Sequence, residues 1–250
     1  METIITKQEN GVMLITLNRP HYKNAISCKM MEEFEQVITE VKNDEKIKVV
    51  VITGSANSFS SGGDLAEFHG MKTQKQVEPM LNKMGGLLQQ LESLGKPTIA
   101  HIDGYALGGG AELALACDIC YITPNAKLGF IQITLGLTTG WGGGIRLIQK
   151  LGRSKALSLL LTGEVISAEK IIEYGISDRI VESLEETLDF ANRIDTFSLE
   201  AIKSYIQSAN DISKFEEMKS LQNKEINRCS YLWESKEHEI AVEKFLSSKK

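Results

Sequence analysis

The chain has 250 residues, of which 42% are hydrophobic and 24% are charged, and its formal net charge is −5. This size and composition predict a globular protein with one large core. The negative charge and the scattered lysines argue against nucleic acid as a partner. Since no apolar run reaches the roughly 18 residues that cross a bilayer, and residues 1–17 lack the layout of a signal peptide, we expect a cytoplasmic protein without a membrane partner.

The first half of the chain alternates between strand patterns and helix patterns. Continuous apolar runs predict strands at residues 12–17, 48–53 and 98–102. Apolar residues at helical spacing predict helices at residues 30–41 and 77–91. Loops rich in small residues follow the second and third strands, at residues 57–64 (NSFSSGGD) and 104–110 (GYALGGG). If these two strands are neighbours, both loops emerge at one edge of the sheet, where α/β proteins bind ligands.

The second half begins with short strands and then becomes helical. Strands are predicted at residues 119–122, 127–131 and 179–181, and a glycine-dense loop at residues 136–144. Helical spacing recurs at residues 156–161, 168–174, 184–194, 199–209 and 215–226. We therefore expect a core at residues 1–195 that carries the active site, and a helical region at residues 196–250 that covers the core or a neighbouring subunit.

Cys117 and Cys120 form a C-x-x-C pair, the spacing found in some metal and redox sites. No second pair lies nearby, and the two residues fall where an apolar helix gives way to a strand. We therefore predict buried free thiols, with no metal bound.

Residues 104–118 (GYALGGGAELALACD) hold the strongest functional signal. Three glycines precede an apolar helix, so the backbone is bare where the first N–H groups of that helix have no partner within it. Such N–H groups favour an oxygen that carries negative charge, and Glu112 follows within the first helical turn. The pattern indicates an anion site next to an acid or base. A glycine triplet also occurs where a helix simply packs tightly on a strand.

Several motifs together resemble the crotonase superfamily, the enoyl-CoA hydratase/isomerase family. They are NRP at residues 18–20, KNA at 23–25, FSSGGDL at 59–65, KP at 96–97, GYALGGGAELALACD at 104–118 and LTG at 161–163. The resemblance covers nearly the whole chain. It implies an α/β spiral of repeated ββα units (the ClpP/crotonase-like fold) with a C-terminal helical trimerisation region. It also implies a homotrimer or a dimer of trimers, and an acyl-CoA thioester substrate. Coenzyme A then arrives as part of the substrate, and no separate cofactor or metal is implied.

The resemblance also assigns the binding residues. It places the two N–H groups of an oxyanion hole on Gly63 and Gly109, which agrees with the reading of the glycine triplet from the residues themselves. A thioester oxygen held in this way can carry the charge of an enolate. By the same resemblance, four residues lie along the path of coenzyme A: Lys23, Ala25, Ser61 and Leu65.

The sequence departs from the hydratases at its carboxylates. A typical family hydratase holds water between two glutamates; Glu112 matches the first, but Gln132 stands in the place of the second. Because an amide cannot exchange a proton near neutral pH, this weakens the hydratase reading, and also the isomerase reading, whose glutamate usually takes that second position. Trp141 and its glycine-rich surroundings resemble the ethylmalonyl/methylmalonyl-CoA decarboxylase branch. Trp141 either walls the acyl pocket or packs at a glycine-rich bend.

We therefore predict an acyl-CoA lyase that either hydrates an enoyl-CoA or decarboxylates a short 2-carboxyacyl-CoA. An enoyl-CoA isomerase and a catalytically silent CoA-binding homologue are the alternatives. A serine hydrolase would need a placed histidine, and only His69 lies near a functional loop.

Overall fold

A computed structural model of the chain describes residues 1–212 and 215–247. Within these residues the protein has an α/β structure with ten strands. The strands are β1 (Ile4–Glu9), β2 (Val12–Leu17), β3 (Val49–Gly54), β4 (Ser58–Ser60), β5 (Thr98–Ile102), β6 (Tyr105–Leu107), β7 (Ile119–Ile122), β8 (Lys127–Gly129), β9 (Val165–Ser167) and β10 (Arg179–Ile180).

The same residues form eleven α-helices and two short 3-10 helices, Pro20–Tyr22 and Ile131–Leu135. The α-helices are α1 (Cys28–Asn43), α2 (Leu65–Phe68), α3 (Gln74–Glu92), α4 (Gly109–Leu115), α5 (Gly143–Leu151), α6 (Arg153–Thr162), α7 (Ala168–Tyr174), α8 (Leu184–Asp195), α9 (Leu199–Ile212), α10 (Phe215–Trp233) and α11 (Lys236–Ser247). Within the described ranges, none of the helices has both the length and the apolarity needed to cross a membrane.

The strands form two sheets. The larger has the order β1-β2-β3-β5-β7-β10 and the smaller has the order β4-β6-β8-β9. Three times in succession, one strand enters the larger sheet, the next enters the smaller sheet, and helical structure follows: β3 and β4, β5 and β6, β7 and β8. This arrangement is the spiral of repeated ββα units that the motifs imply, and it confirms the predicted fold class.

Strand β3 explains the unbroken apolar runs of the sequence. Val50 and Ile52 belong to the main core, whereas Val49 and Val51 belong to a smaller cluster that α8 closes on the other face of the sheet. All four side chains are fully buried. Because successive side chains of a strand point to opposite faces, a strand with helices on both sides must be apolar throughout.

The segment after β8 differs from the prediction. The apolar run predicts a strand through residue 131, but β8 ends at Gly129 and Ile131–Leu135 forms a 3-10 helix. Gly136 ends this helix with a φ of +71° and donates its N–H to a carbonyl of the same turn. Apolar composition alone does not separate a short strand from a short helix.

The C-terminal region also extends beyond the predicted helices. The apolar spacing predicts a helix that ends at residue 226, but α10 continues to Trp233, and α11 was not predicted. Helix α10 packs on α3 and α5 of the same chain. Residues 213–214 and 248–250 of the predicted helical region lie outside the described residues. The boundary near residue 195 and any contact with a neighbouring subunit stay predictions.

The turn between β5 and β6 rests on the turn between β3 and β4. Gly104 has a φ of +73°, and a Cβ atom at this position would overlap the backbone carbonyl oxygen of Asn57. Only glycine combines this left-handed conformation with so close an approach of two backbones. The contact stacks the two turns, and it therefore fixes where the chain enters the smaller sheet.

We predict that Gly104→Ala destabilises the protein more than Gly175→Ala does. Gly175 ends α7 with a φ of +75°, and nothing lies within 4 Å of a Cβ atom placed there. Both variants meet the cost of a left-handed alanine, about 1 kcal/mol, but only Gly104→Ala also meets a backbone overlap, worth roughly 1–3 kcal/mol more. Urea unfolding of both variants and the parent measures the difference. Equal losses of unfolding free energy would contradict the stacking of the two turns.

Candidate active site

The two glycine-bearing loops meet at one edge of the sheets because their strands are neighbours. β3 pairs with β5 in parallel, and β4 pairs with β6 in the same way. The loop after β4 and the loop between β6 and α4 both line one cavity of about 130 Å³. Parallel pairing therefore brings together two loops that lie more than forty residues apart in the sequence.

The first loop fits against the start of α4. Gly62 has a φ of +99°, and a Cβ atom on it would lie 2.9 Å from the carbonyl oxygen of Leu107 and 3.1 Å from the backbone nitrogen of Gly109. Within the described residues, the N–H groups of Gly63 and Gly109 donate to no protein acceptor. Unpaired N–H groups at the wall of a cavity are suited to an oxygen that carries negative charge.

Residues 23–26 run beside the first loop. The N–H of Ser61 donates to the carbonyl oxygen of Lys23 over 3.0 Å. Of the four residues predicted along the path of coenzyme A, Ser61 and Leu65 line the cavity. Lys23 is exposed next to it, and Ala25 is buried. The structure thus gathers all four residues around one loop, although only two of them line the cavity itself.

Trp141 lies over both glycines of the predicted oxyanion hole. A Cβ atom on Gly109 would overlap its indole ring, and a Cβ atom on Gly63 would lie 3.8 Å from the ring. The side chain is 4% exposed and lines the cavity. The ring therefore both lines the cavity and packs against glycine, and its role at an acyl group stays a prediction.

Glu112 is the only charged side chain among the described residues that line this cavity. It lies in the first turn of α4 and is 2% exposed. One carboxylate oxygen, Oε2, accepts the N–H groups of Trp141 and Gly143, both over 2.8 Å. The other, Oε1, accepts the side-chain amide of Gln132 over 2.8 Å and the N–H of Gly140 over 3.4 Å. The long contact leaves Oε1 as the oxygen with spare capacity for a ligand.

The carboxyl group of Glu112 has a raised pKa, and burial is the main cause. Burial and the nearby carboxylate of Glu225 raise the pKa of Glu112 to about 7, against the opposing effect of the N–H donors of Gly143, Trp141 and Gly140. Desolvation disfavours the charged form of an acid more than these hydrogen bonds favour it. A carboxyl group with a pKa near neutrality can both donate and accept a proton at physiological pH.

Gln132 lies beside Glu112, near the start of the short 3-10 helix after β8. Its Nε2 faces the carboxylate of Glu112, while its Oε1 is buried and has no hydrogen-bond partner in the described residues. The cavity therefore holds one carboxyl group and one amide. The departure from a two-glutamate pattern that the sequence indicates is present in the geometry as well.

Apolar side chains from α3, α10 and α11 also line the cavity. They are Met80 and Leu81 of α3, Cys229 and Trp233 of α10, and Phe245 of α11. An apolar enclosure of this kind strengthens electrostatic interactions inside it, because the local dielectric constant is low. The C-terminal helices thus contribute directly to the environment of Glu112.

The interpretation of the sequence missed a second buried carboxylate, Glu225 of α10. This side chain is 4% exposed and accepts the N–H groups of Gly142 over 2.9 Å and of Ile145 over 3.0 Å. It does not line the cavity that contains Glu112. A single glutamate in a charged helical segment predicts a solvated face, so no sequence signal identifies it.

Arg146 of α5 was missed as well. Its guanidinium donates to both carboxylate oxygens of Glu92, over 2.6 and 2.7 Å, and to the side-chain oxygen of Gln222 over 3.1 Å. It also donates to the carbonyl oxygen of Trp141 over 2.8 Å, and it is 6% exposed. Here the sequence does contain a signal. Arg146 stands within an apolar run at residues 145–148 (IRLI), which indicates a buried arginine that needs a partner.

The hydrolase alternative gains no support. The hydroxyl groups of Ser60 and Ser61 donate to backbone carbonyl groups of residues 22–24. His69 is not among the residues that line the cavity of Glu112. The serines therefore hold the neighbouring segment in place, in keeping with their reading as small loop residues.

The C-x-x-C pair is buried, and both Cys117 and Cys120 are free thiols, as predicted. Burial raises the pKa of each thiol, so both groups stay protonated at neutral pH. In the part of the chain that the structure describes, no group of three or more His, Cys, Asp or Glu side chains is arranged to hold a metal ion.

Comparison with known proteins agrees with this arrangement. The profile of the enoyl-CoA hydratase/isomerase family matches residues 7–248. A probable enoyl-CoA hydratase of Rhizobium meliloti (strain 1021) is 35% identical over 212 residues, which cover 84% of this chain and 81% of the relative. An ethylmalonyl-CoA decarboxylase of Xenopus tropicalis is 33% identical over 210 residues, which cover 84% of this chain and 68% of the relative.

Solved structures agree as well. The crystal structure of an enoyl-CoA hydratase/isomerase from Xanthobacter autotrophicus Py2 has a TM-score of 0.91 to this chain at 26% identity, and the match covers 97% of this chain and 92% of the other. The family profile covers almost the entire chain, and relatives above 30% identity cover most of it. The chain therefore belongs to the enoyl-CoA hydratase/isomerase family of the crotonase superfamily.

Proposed function

We propose that this protein is an acyl-CoA lyase that decarboxylates a short 2-carboxyacyl-CoA through a thioester enolate. The observation that carries the proposal is the pair of unpartnered N–H groups, on Gly63 and Gly109, which line the same cavity as one buried carboxyl group. Two such donors form an oxyanion hole for the thioester oxygen. Each preorganised donor of this kind lowers a barrier by about 3 kcal/mol.

The reaction needs one proton donor and no base in its first step. The bond between the α-carbon and the carboxylate breaks, CO2 leaves, and the electron pair of that bond becomes the enolate held by the two N–H groups. Glu112 then gives its proton to the α-carbon, which restores the thioester. A carboxyl group with a pKa raised to about 7 by burial and by Glu225 is protonated in a large fraction of molecules at neutral pH.

The apolar character of the cavity supports decarboxylation. Glu112 is the one charged side chain among the described lining residues, so no cation there stabilises a substrate carboxylate. A carboxylate that loses its hydration without gaining an ion pair is destabilised, whereas neutral CO2 is not. Trp141 lies over the two glycines, and we propose that its ring turns the substrate carboxylate out of the plane of the thioester.

Hydration of an enoyl-CoA is the second candidate, and the position of Gln132 favours it. The unpartnered Oε1 of Gln132 and the carboxylate of Glu112 lie on adjacent side chains joined by a hydrogen bond. The pair could hold one water molecule, with Glu112 alone exchanging the protons. The relative from Rhizobium meliloti is named as a probable hydratase. An isomerase of the family would usually have its glutamate at the position of Gln132, and an amide there cannot exchange the proton that has to move.

The proposal includes the ligand, the assembly and the location. Coenzyme A is bound as part of the substrate, along Lys23, Ala25, Ser61 and Leu65, without a separate cofactor. We propose a homotrimer or a dimer of trimers, which is supported by large apolar side chains exposed on C-terminal helices, such as Tyr205 at 80% and Tyr231 at 72%. The four free cysteines are compatible with the reducing cytoplasm.

We predict CO2 release from methylmalonyl-CoA or ethylmalonyl-CoA, with little hydration of crotonyl-CoA, because one proton donor serves the first reaction better than the second. The same purified protein is tested in two assays: CO2 release from the 2-carboxyacyl-CoA, and loss of the enoyl thioester absorbance of crotonyl-CoA. Hydration without CO2 release would favour the second candidate. Binding of the thioesters without either reaction would identify a catalytically silent homologue.

We predict that Glu112→Gln lowers the turnover rate by about 10²–10⁴-fold, because the amide cannot give a proton to the α-carbon. The affinity for a CoA thioester should stay close to that of the parent, since Gln132 can turn its amide and pair with the new side chain. Steady-state kinetics and calorimetric titration measure the two quantities. The matched control is Glu40→Gln, which makes the same substitution at an exposed position on α1. Unchanged turnover in Glu112→Gln would remove this residue from the mechanism.

We also predict that the contribution of Glu112 to the free energy of unfolding falls as the pH rises from about 4.5 to about 7. In this range Glu112 keeps a proton in the native state that it has released in the unfolded state. The native state therefore becomes less stable relative to the unfolded state as the pH rises. The full shift corresponds to at most roughly 3 kcal/mol. Urea unfolding of the parent and of Glu112→Gln at a series of pH values measures this contribution as the difference between their slopes, because Glu225 and Asp118, whose pKa values burial also raises, act in both proteins. An unchanged slope in that variant would contradict the raised pKa of Glu112.

A further inference from the structure

The backbone N–H groups of residues 140–145 bind two buried carboxylates that belong to different helices. Glu112 of α4 accepts the N–H groups of residues 140, 141 and 143, whereas Glu225 of α10 accepts those of residues 142 and 145. The donors are therefore divided between the two acids, with neighbouring residues turned to opposite partners. These N–H groups lie at the start of α5, the positive end of its dipole, and each carboxylate binds N–H groups that the other carboxylate would otherwise compete for.

We infer that Glu225 is the positioning residue for Glu112: by holding its own share of the N–H groups between Gly140 and Ile145, it fixes the segment against which the acid of the cavity is placed. This inference deepens the proposed function, because it rests on Glu112 as the proton donor. Glu225 does not line the cavity of Glu112, so it acts through the shared segment and through its charge.

Arg146 ties the same segment to α3 and α10. Arg146 follows the shared segment in α5 and is tied to Glu92 of α3 by two hydrogen bonds, of 2.6 and 2.7 Å. The same guanidinium binds Gln222, one turn before Glu225 on α10, and the carbonyl oxygen of Trp141. Three helices thus converge on the segment that carries both acids. A buried network with its donors satisfied holds a single geometry because breaking any member leaves unpaired groups.

The charges around Glu112 come from every element packed on it. Glu225 and the thiol of Cys229 face it from α10 and Arg146 from α5, while Gln132 contributes an uncharged amide. Glu92 of α3 pairs with Arg146. Burial raises the pKa of Glu225 as well as that of Glu112, and the carboxylate of Glu225 raises the pKa of Glu112 further, whereas Arg146 opposes the rise at Glu225. Two acids this close titrate as a pair, so a change at one must appear at the other.

The test is a titration of the carboxyl groups that does not depend on activity. Protein labelled with 13C at the glutamate carboxyl carbon is titrated by NMR, and Glu112→Gln and Glu225→Gln identify the two signals. Removal of one like charge in Glu225→Gln should lower the titration midpoint of Glu112 by about one pH unit. Glu225→Asp keeps the charge and should retain most of the raised midpoint.

Reciprocity gives a second test if Glu225→Gln does not fold. In Glu112→Gln the titration midpoint of Glu225 should fall by a similar amount, because the coupling between two sites is the same from either side. The matched control is Glu40→Gln, which removes an exposed charge on α1. An unchanged midpoint in both directions, or an equal shift in Glu40→Gln, would overturn the inference.

A kinetic readout separates positioning from general damage to the fold. If the proposed decarboxylation is correct, Glu225→Gln should lower kcat about tenfold, leave KM nearly unchanged and move the alkaline limb of the pH profile to lower pH. A rise in KM with an unmoved limb would overturn the positioning role. Coupled titrations without any decarboxylation or hydration would defeat the proposed function alone, and activity without coupled titrations would defeat this inference alone.

Discussion

The parallel pairing of β4 with β6 is the constraint on which the site depends. It sets two loops side by side, and Gly62 then lies against the start of α4 at a distance that a larger residue would disturb. Gly63 and Gly109 follow from this contact as adjacent residues of the two loops, each with an unpaired N–H. The ring of Trp141 fills the space beside Gly109, and the ring of Phe68 lies nearest to Gly63, with Trp141 next. Backbone geometry, more than any reactive side chain, defines the cavity.

The segment at residues 140–145 links this cavity to the C-terminal helices. Its N–H groups at residues 140, 141 and 143 bind Glu112, those at residues 142 and 145 bind Glu225 of α10, and Arg146 binds the carbonyl oxygen of Trp141. The same C-terminal helices supply the apolar roof over the cavity. The acidity of Glu112 is therefore a property of the assembled structure, since burial and a second buried acid raise its pKa while the local hydrogen bonds lower it.

Much of the fold was accessible from patterns along the chain, for reasons that particular elements make clear. β3 is apolar at every position because it is covered on both faces, and α4 begins at the glycine triplet as expected. The strand predicted through residue 131 is wrong because a short apolar run fits a strand and a 3-10 helix equally well. The site was accessible in part: Glu112, Gln132 and Trp141 were singled out, but Glu225 was not, because nothing nearby in the sequence marks it as buried.

The sequence by itself determined the family, the repeated ββα units and the substitution of an amide for the second glutamate, because these reside in local motifs and in periodic patterns. Only the tertiary structure decided that Glu112 and Glu225, which lie on different helices, divide the N–H groups of one segment. It also decided that Trp141 covers both glycines. The physical reason is that burial, hydrogen-bond partners and the coupling of charges depend on distances between residues far apart in the chain, and no local pattern of residues encodes those distances.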